Sequence, residues 1–169
     1  FVSVVVQIGS QGQVVNGVHG AFPERPVWLP VGLSNDHAVG RGRGFPAKRQ
    51  GSHGEATWAS AGGHLEWGES LEECARRETL EELGVEVSNL QFLCVSNILA
   101  YEKHYIDFEF LADIGDQEPR LAEPDAFSEF GWFPLDKLPE PLFEAARLAL
   151  DSLLSGRYYY PDNGSQAAF

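Results

Sequence analysis

Basic runs are missing from this chain of 169 residues: 12 Lys and Arg face 25 Asp and Glu, a formal net charge of −13. Domains that bind nucleic acid usually show a basic patch or stripe, and the long-range field here opposes a polyanionic duplex. Nucleic acid is therefore not an expected partner. An acidic protein can still take a small polyanion where a metal ion neutralises the site locally. Cysteine is scarce too. Cys74 and Cys94 are the only two and show no metal-ligand spacing, which argues against a disulfide framework and for two reduced, buried thiols. No apolar run reaches the length of a membrane span, so no membrane partner is expected. Phe1 to Ile8 is apolar but has neither a basic leader region nor a cleavage site, so it does not read as a signal peptide. The chain reads as cytoplasmic.

What is present suffices for one core. Hydrophobic residues make up 43% of the chain and aromatics 12%, and the length fits one domain over residues 1–169. Phe1 to Ile8 is Val-rich and reads as a strand. Residues 9–54 hold many of the Gly and Pro residues, including Gly40-Arg41-Gly42-Arg43-Gly44, and read mostly as a loop or insertion, with one short strand expected over Val27 to Leu33. Glu55 to Ala61 reads as a strand running into Gly62-Gly63. Ser70-Leu71-Glu72-Glu73 is a capping-box pattern and Gly84 a stop, which predicts a helix over 71–83. Val85 to Ala100 is β-rich. His104 to Ala112 alternates, with Tyr105, Asp107 and Glu109 interleaved with Ile106, Phe108 and Phe110. Phe127 to Phe133 reads as a strand ending at Pro134. Leu142 to Leu154 reads as a second amphipathic helix, with Phe143, Ala146, Leu150 and Leu153 or Leu154 on one face. This element order suggests an α/β fold: a mixed sheet covered on both faces, an α/β/α arrangement.

The first helix carries an anomaly. With Glu78 set at zero and about 100° per residue, Leu71, Cys74 and Ala75 fall at roughly 20°, −40° and 60°, and Glu82 and Glu81 at roughly 40° and −60°. Three carboxylates thus continue the apolar stripe of the first two turns. Burying unpaired acids costs several kcal/mol per ion, whereas Mg²⁺ or Mn²⁺ would accept carboxylate oxygens and keep positions for water and substrate phosphates. A solvated acidic helix end, with Arg77 pairing Glu73 and Glu81, fits the same pattern.

The residues from Gly63 to Val85 also carry a resemblance. Gly63-His64-Leu65-Glu66-Trp67-Gly68-Glu69, seven residues, then Arg77-Glu78-Thr79-Leu80-Glu81-Glu82-Leu83-Gly84-Val85 resembles the Nudix box, with Thr79 standing where an aliphatic residue is usual. The resemblance implies the Nudix α/β/α sandwich, with the box as loop–helix–loop. It implies Glu78, Glu81 and Glu82 as ligands of Mg²⁺ or Mn²⁺ together with the Gly62 carbonyl. It also implies catalytic roles for Glu69, Arg77, Glu81 and Glu82: Glu69 and Arg77 would orient the helix acids or polarise the attacking water. Lys48-Arg49-Gln50-Gly51-Ser52-His53-Gly54 with Trp58, the stretch Gly62 to Cys74, and Trp132-Phe133-Pro134 with Leu138-Pro139 resemble the MutT-type nucleoside triphosphate diphosphatases, the branch acting on modified nucleoside triphosphates. Ala61, where a Pro often precedes the double Gly, and the long 9–44 segment depart from that branch.

The implied reaction is water attack on a phosphoanhydride, giving a nucleoside monophosphate and pyrophosphate from a triphosphate. Candidate substrate contacts are His64 after the double Gly, Lys48 and Arg49 for phosphate, and Trp132 for the base, with Trp58, Trp67 and Tyr105 as other aromatic platforms. The general base is a box glutamate or one of Glu123, Asp125 and Glu129. ADP-ribose, nucleotide sugars and dinucleoside polyphosphates remain alternative substrates, the last on the position of Tyr101. A non-catalytic nucleotide-binding module is the reading from a different class. A homodimer is compatible with the sequence.

Overall fold

A computed structural model of the chain describes residues 2–9, 43–51 and 54–161, the first segment by its backbone. In chain order the strands are β1 (Val2–Gly9), β2 (Arg43–Gly44), β3 (Ala47–Arg49), β4 (Trp58–Ala59), β5 (Ala61–His64), β6 (Ser88–Ala100), β7 (Lys103–Asp113), β8 (Phe127–Phe130), β9 (Phe133–Pro134) and β10 (Tyr159–Tyr160). The helices are α1 (Leu71–Leu83) and α2 (Glu144–Ser155).

The main sheet has the order β10-β6-β7-β1-β5. It is mixed: β1 runs parallel to β5 and β10 to β6, while β7 is antiparallel to both β1 and β6. Two cores lie on opposite faces. On one, Cys74, Ala75 and Leu83 of α1 pack with Phe110 and Ala112 of β7. On the other, Ala145 and Leu148 of α2 pack with Cys94 and Ile98 of β6, Tyr105 of β7, and Tyr160. This is the expected α/β/α sandwich. Tyr101 and Glu102, both at positive φ (54° and 59°), turn β6 into β7, and a two-residue turn of that hand matches the right-handed twist of its strands.

Helix α1 starts and stops where its caps dictate. The Glu73 amide donates to Ser70 Oγ (3.2 Å) and the Ser70 amide to Glu73 Oε2 (2.7 Å). Gly84 ends the helix at φ 64°, its N–H reaching Leu80 O at 3.0 Å. Thr79, at the position usually aliphatic, is fully buried, and its Oγ1 donates to Ala75 O at 2.7 Å. The hydroxyl thus satisfies itself one turn back, so Thr serves as Val would.

Several expectations change in detail. The stretch 9–54 falls mostly outside the described residues, as does Val27 to Leu33, but residues 43–49 carry β2 and β3. Glu55 and Ala56 lie in a turn, and the expected strand splits into β4 and β5. Phe127 to Pro134 likewise breaks into β8 and β9 at Gly131-Trp132. The expected face of α2 is wrong. Ala145, Leu148, Ala149 and Ser152 are buried and Leu154 is exposed, because small residues let the helix lie close on the sheet. The tail, which gave no signal, adds β10: Tyr160 is buried, and its hydroxyl donates to Asp151 Oδ2 at 2.6 Å. Cys74 and Cys94 are free and fully buried, and burial pushes both thiols up to about 12.

Candidate active site

The site begins where β5 feeds the loop before α1. Glu69 sits at the end of that loop and binds Arg77 with two oxygens, Oε1 to Nε at 2.9 Å and Oε2 to Nη2 at 3.1 Å. Its Oε2 also accepts from the Glu66 amide at 3.0 Å. The Arg77 guanidinium holds the Glu69 carboxyl down at about 2. Arg77 then spreads over its other neighbours: Nη1 donates to Glu78 Oε1 (2.7 Å) and Glu81 Oε2 (3.1 Å), and Nη2 to the His64 carbonyl (3.1 Å). One guanidinium thus joins the loop to three acids, and its own pKa is raised, chiefly by Glu69.

The helix acids differ in environment. Glu82 is 9% exposed, and its Oε2 accepts from the Gly62 amide at 2.9 Å. Burial raises its carboxyl to about 8 against the pull of that amide, with Glu78 and Glu123 adding repulsion and Arg49 opposing it. Glu78 is mostly covered and is also raised, first by burial, with Arg77 opposing and Glu81 and Glu123 adding to it. Glu81 is half exposed, not turned inward with the others. The reason is the arc that packs: Cys74, Ala75, Thr79, Glu82 and Leu83 are buried, so its centre lies near Ala75 and Glu82, about 60° from Glu78 and about 120° from Glu81. Glu123 is brought to Glu78 and Glu82 because its segment runs along the helix end, with the Ala122 amide bonded to Glu82 O and the Arg120 amide to Leu83 O, each at 2.9 Å.

Gly63 leaves room for the end of the Glu78 side chain. A Cβ there would collide with the Glu78 carboxylate. Gly63→Ala is expected to displace Glu78 and cut turnover about 10–100-fold, the usual cost of disturbing a group that supports a catalytic centre, with the fold retained. Steady-state kinetics beside circular dichroism check this. Wild-type turnover would mean that the placement of Glu78 does not matter to the chemistry.

Glu82, Gly62 and Gly63 open onto a cavity of about 410 Å³, whose walls include Arg49, His64, Ile98, Tyr105, Asp107 and Phe143. The substrate candidates divide at this point. Arg49 lines the cavity, with its guanidinium 4.9 Å from the Phe143 ring centre. His64 is exposed at the cavity wall, its ring 6.3 Å from that of Tyr105. Lys48 is not among the lining residues: its Nζ is 2.8 Å from Glu129 Oε1. Trp132 also lies off the lining, edge-on to Phe45 at 5.1 Å. Trp58 is buried against Phe133, and Trp67 is fully exposed. Residue spacing did not single out Phe143, Phe127 or Asp107 as cavity residues. The signal for Asp107 was an acid on a strand whose two faces are both covered.

Loop, helix and cavity together define the class. The family model described as NUDIX domain matches residues 40–153, and the chain belongs to the Nudix family. Its curated relatives are named as hydrolases. It is 37% identical over 103 residues to the NAD-capped RNA hydrolase NudC of Chromobacterium violaceum, covering 60% of this chain and 37% of that one. It is 32% identical over 104 residues to the oxidized purine nucleoside triphosphate hydrolase of Danio rerio, covering 58% of this chain and 62% of that one. The chain spans less than half the length of the NudC relatives it matches, 49% in the case of Pectobacterium carotovorum. Among solved structures it is similar to a MutT NUDIX hydrolase from Burkholderia pseudomallei, with a TM-score of 0.63 and 37% identity over 66% of this chain and 88% of that one.

Proposed function

We propose that the chain hydrolyses a phosphoanhydride bond of a nucleoside triphosphate, releasing nucleoside monophosphate and pyrophosphate with the help of Mg²⁺ or Mn²⁺. The observation that carries this reading is the continuity of the cavity. Its lining joins a buried glutamate of the box and the backbone of Gly62 and Gly63 to the apolar and aromatic side chains of Tyr105, Phe143 and Ile98. A polyphosphate and a base need those two environments at once.

Nudix hydrolases in general use divalent ions, and the donor set here suits a hard one. Glu78 and Glu82 are carboxylates kept from water, raised in pKa first by burial, with Glu81 and Glu123 adding to the shift of Glu78 and Glu78 and Glu123 to that of Glu82. That is the stress a cation relieves. Glu78, Glu81 and Glu82, with the Gly62 carbonyl, are the groups that would hold it. Among the described residues no three acid, His or Cys side chains converge on one point as they stand, since Arg77 draws on Glu78 and Glu81 while the Gly62 amide holds Glu82. Once bound, the ion would lower the pKa of water and screen phosphate charge.

The chain's own residues do the rest. Glu69 fixes Arg77, and Arg77 fixes the loop against α1. Arg49 supplies positive charge within reach of Glu82, which suits a phosphate oxygen. Glu82 and Glu123 are the carboxylates offered to the proton of an attacking water.

The test is a panel with Mg²⁺ and with Mn²⁺, scored for phosphate and pyrophosphate. It should include ordinary and oxidised purine triphosphates, NAD, ADP-ribose and dinucleoside polyphosphates. Metal-dependent pyrophosphate release from triphosphates is expected. Turnover confined to NAD, ADP-ribose or dinucleoside polyphosphates would replace this reading.

A further inference from the structure

The cavity contains an acid that the chemistry above does not use. Asp107 lies on β7 between Tyr105 and Glu109, is 1% exposed, and lines the cavity. Its strand partners fix where it stands. Asp107 pairs with Ser96 of β6 on one side and with Gln7 of β1 on the other, and Gln7 in turn pairs with His64 of β5. Two strand spacings therefore separate Asp107 from His64, about 10 Å across the sheet. That is the reach from a phosphate held at the box to the base of the same nucleotide. A carboxylate at the phosphate end would repel the substrate. Across the sheet from His64, on the face that carries Tyr105 and Ile98 into the cavity lining, it would meet the base, a neutral part of the nucleotide that bears hydrogen-bond donors.

We propose that Asp107 reads the nucleobase, and that it selects a 2-amino-6-oxopurine; this rests on the triphosphate reading above. An ionised carboxylate only accepts hydrogen bonds, and its two oxygens match two parallel N–H groups. A 2-amino-6-oxopurine presents the ring N1–H and the exocyclic N2–H side by side. Adenine and cytosine place an acceptor nitrogen beside their amino group, and uracil flanks its N3–H with two carbonyls. Hypoxanthine keeps the N1–H but lacks the second donor, so it isolates the contact. The aromatic walls hold any base, and the acid discriminates among them.

The experiment compares guanosine, inosine, adenosine and uridine triphosphates in wild type and in Asp107→Asn. Wild type is expected to favour guanosine over inosine triphosphate by about 10–100-fold in kcat/KM, the worth of one hydrogen bond to a charged group. In Asp107→Asn that ratio is expected to fall to about 3-fold or less, because only the oxygen of the amide accepts and its NH2 group would oppose the second N–H of the base. The ratio is internal to each protein, so partial unfolding cannot mimic the result. An unchanged ratio in Asp107→Asn overturns the proposal. So does a wild type that turns over guanosine and inosine triphosphates equally, a result that needs no variant. In both cases triphosphate turnover itself leaves the function reading standing. A wild type inactive on all four triphosphates overturns both.

Discussion

Glu82→Gln is expected to lower metal-dependent turnover on the order of 10³-fold, while making the metal-free protein more stable at pH 8. Both effects come from one carboxylate. Turnover needs its charge, since Glu82 is the most buried of the box acids and faces the cavity. Stability without metal suffers from that charge. The carboxyl stands at about 8 in the fold, against 4.5 for an ordinary glutamate, chiefly because burial penalises its charged form. A group raised in this way favours the folded state fully below pH 4.5, and that support is lost as pH rises through 8. The loss is on the order of 5 kcal/mol at most, each tenfold change in proton affinity being worth ~1.4 kcal/mol. Gln has no charge to bury and keeps an oxygen for the Gly62 amide. In EDTA, the melting temperatures of wild type and variant should therefore be close at pH 4.5 and diverge toward pH 8, with the variant higher. Mg²⁺ should raise the wild type at pH 8 and leave the variant nearly unmoved. Parallel pH profiles, or equal shifts with Mg²⁺, would remove Glu82 from the candidate metal site.

The first helix was legible because its instructions are local. Ser70, Glu73 and Gly84 act within one turn of themselves, so their meaning does not depend on the rest of the fold. Its buried face was less legible. The angles around Glu78 were right, but which arc packs is decided by the sheet. With Thr79 and Leu83 inside it, the arc turns Glu82 inward and leaves Glu81 half exposed. The same problem displaced the face of α2, where Ala145, Ala149 and Ser152 win over larger neighbours because small side chains let the helix lie close on the sheet. Long-range facts were out of reach for a different reason. Asp107 and Glu109 alternate with apolar residues as on a half-exposed strand, yet α1 and α2 cover opposite faces and both acids are buried. The pattern within β7 does not show this by itself; only the element order, which predicts a sheet covered on both faces, does. Trp58 and Trp132 carried the signal of a base platform equally well, and they were assigned to the core only by Phe133 and Phe45 arriving from elsewhere in the chain.

Arg77 is the second residue whose loss should be severe, and Arg77→Ala and Arg77→Lys should differ from wild type in a related way. The guanidinium meets Glu69 with two nitrogens and Glu78 and Glu81 with the third, while also holding the His64 carbonyl. Glu69 and Glu78 are each 13% exposed, so removing the cation leaves two covered carboxylates unpaired. Breaking such a pair from one side costs about 3 kcal/mol, and Arg77→Ala should lose about that much in denaturant unfolding without metal. Part of the loss should return with Mg²⁺, because a cation among Glu78, Glu81 and Glu82 takes over the neutralising role of Arg77. Lys restores the charge but not the fork: a single ammonium cannot meet Glu69 with two parallel bonds and still reach Glu78. Arg77→Lys should therefore recover most of the stability and little of the turnover, with kcat about 10²-fold below wild type and KM less affected, because β5, which carries Gly62, Gly63 and His64, is no longer locked to α1. Full activity in Arg77→Lys would reduce Arg77 to a counter-charge. Equal losses of stability with and without Mg²⁺ would mean that the ion binds away from the carboxylates Arg77 holds.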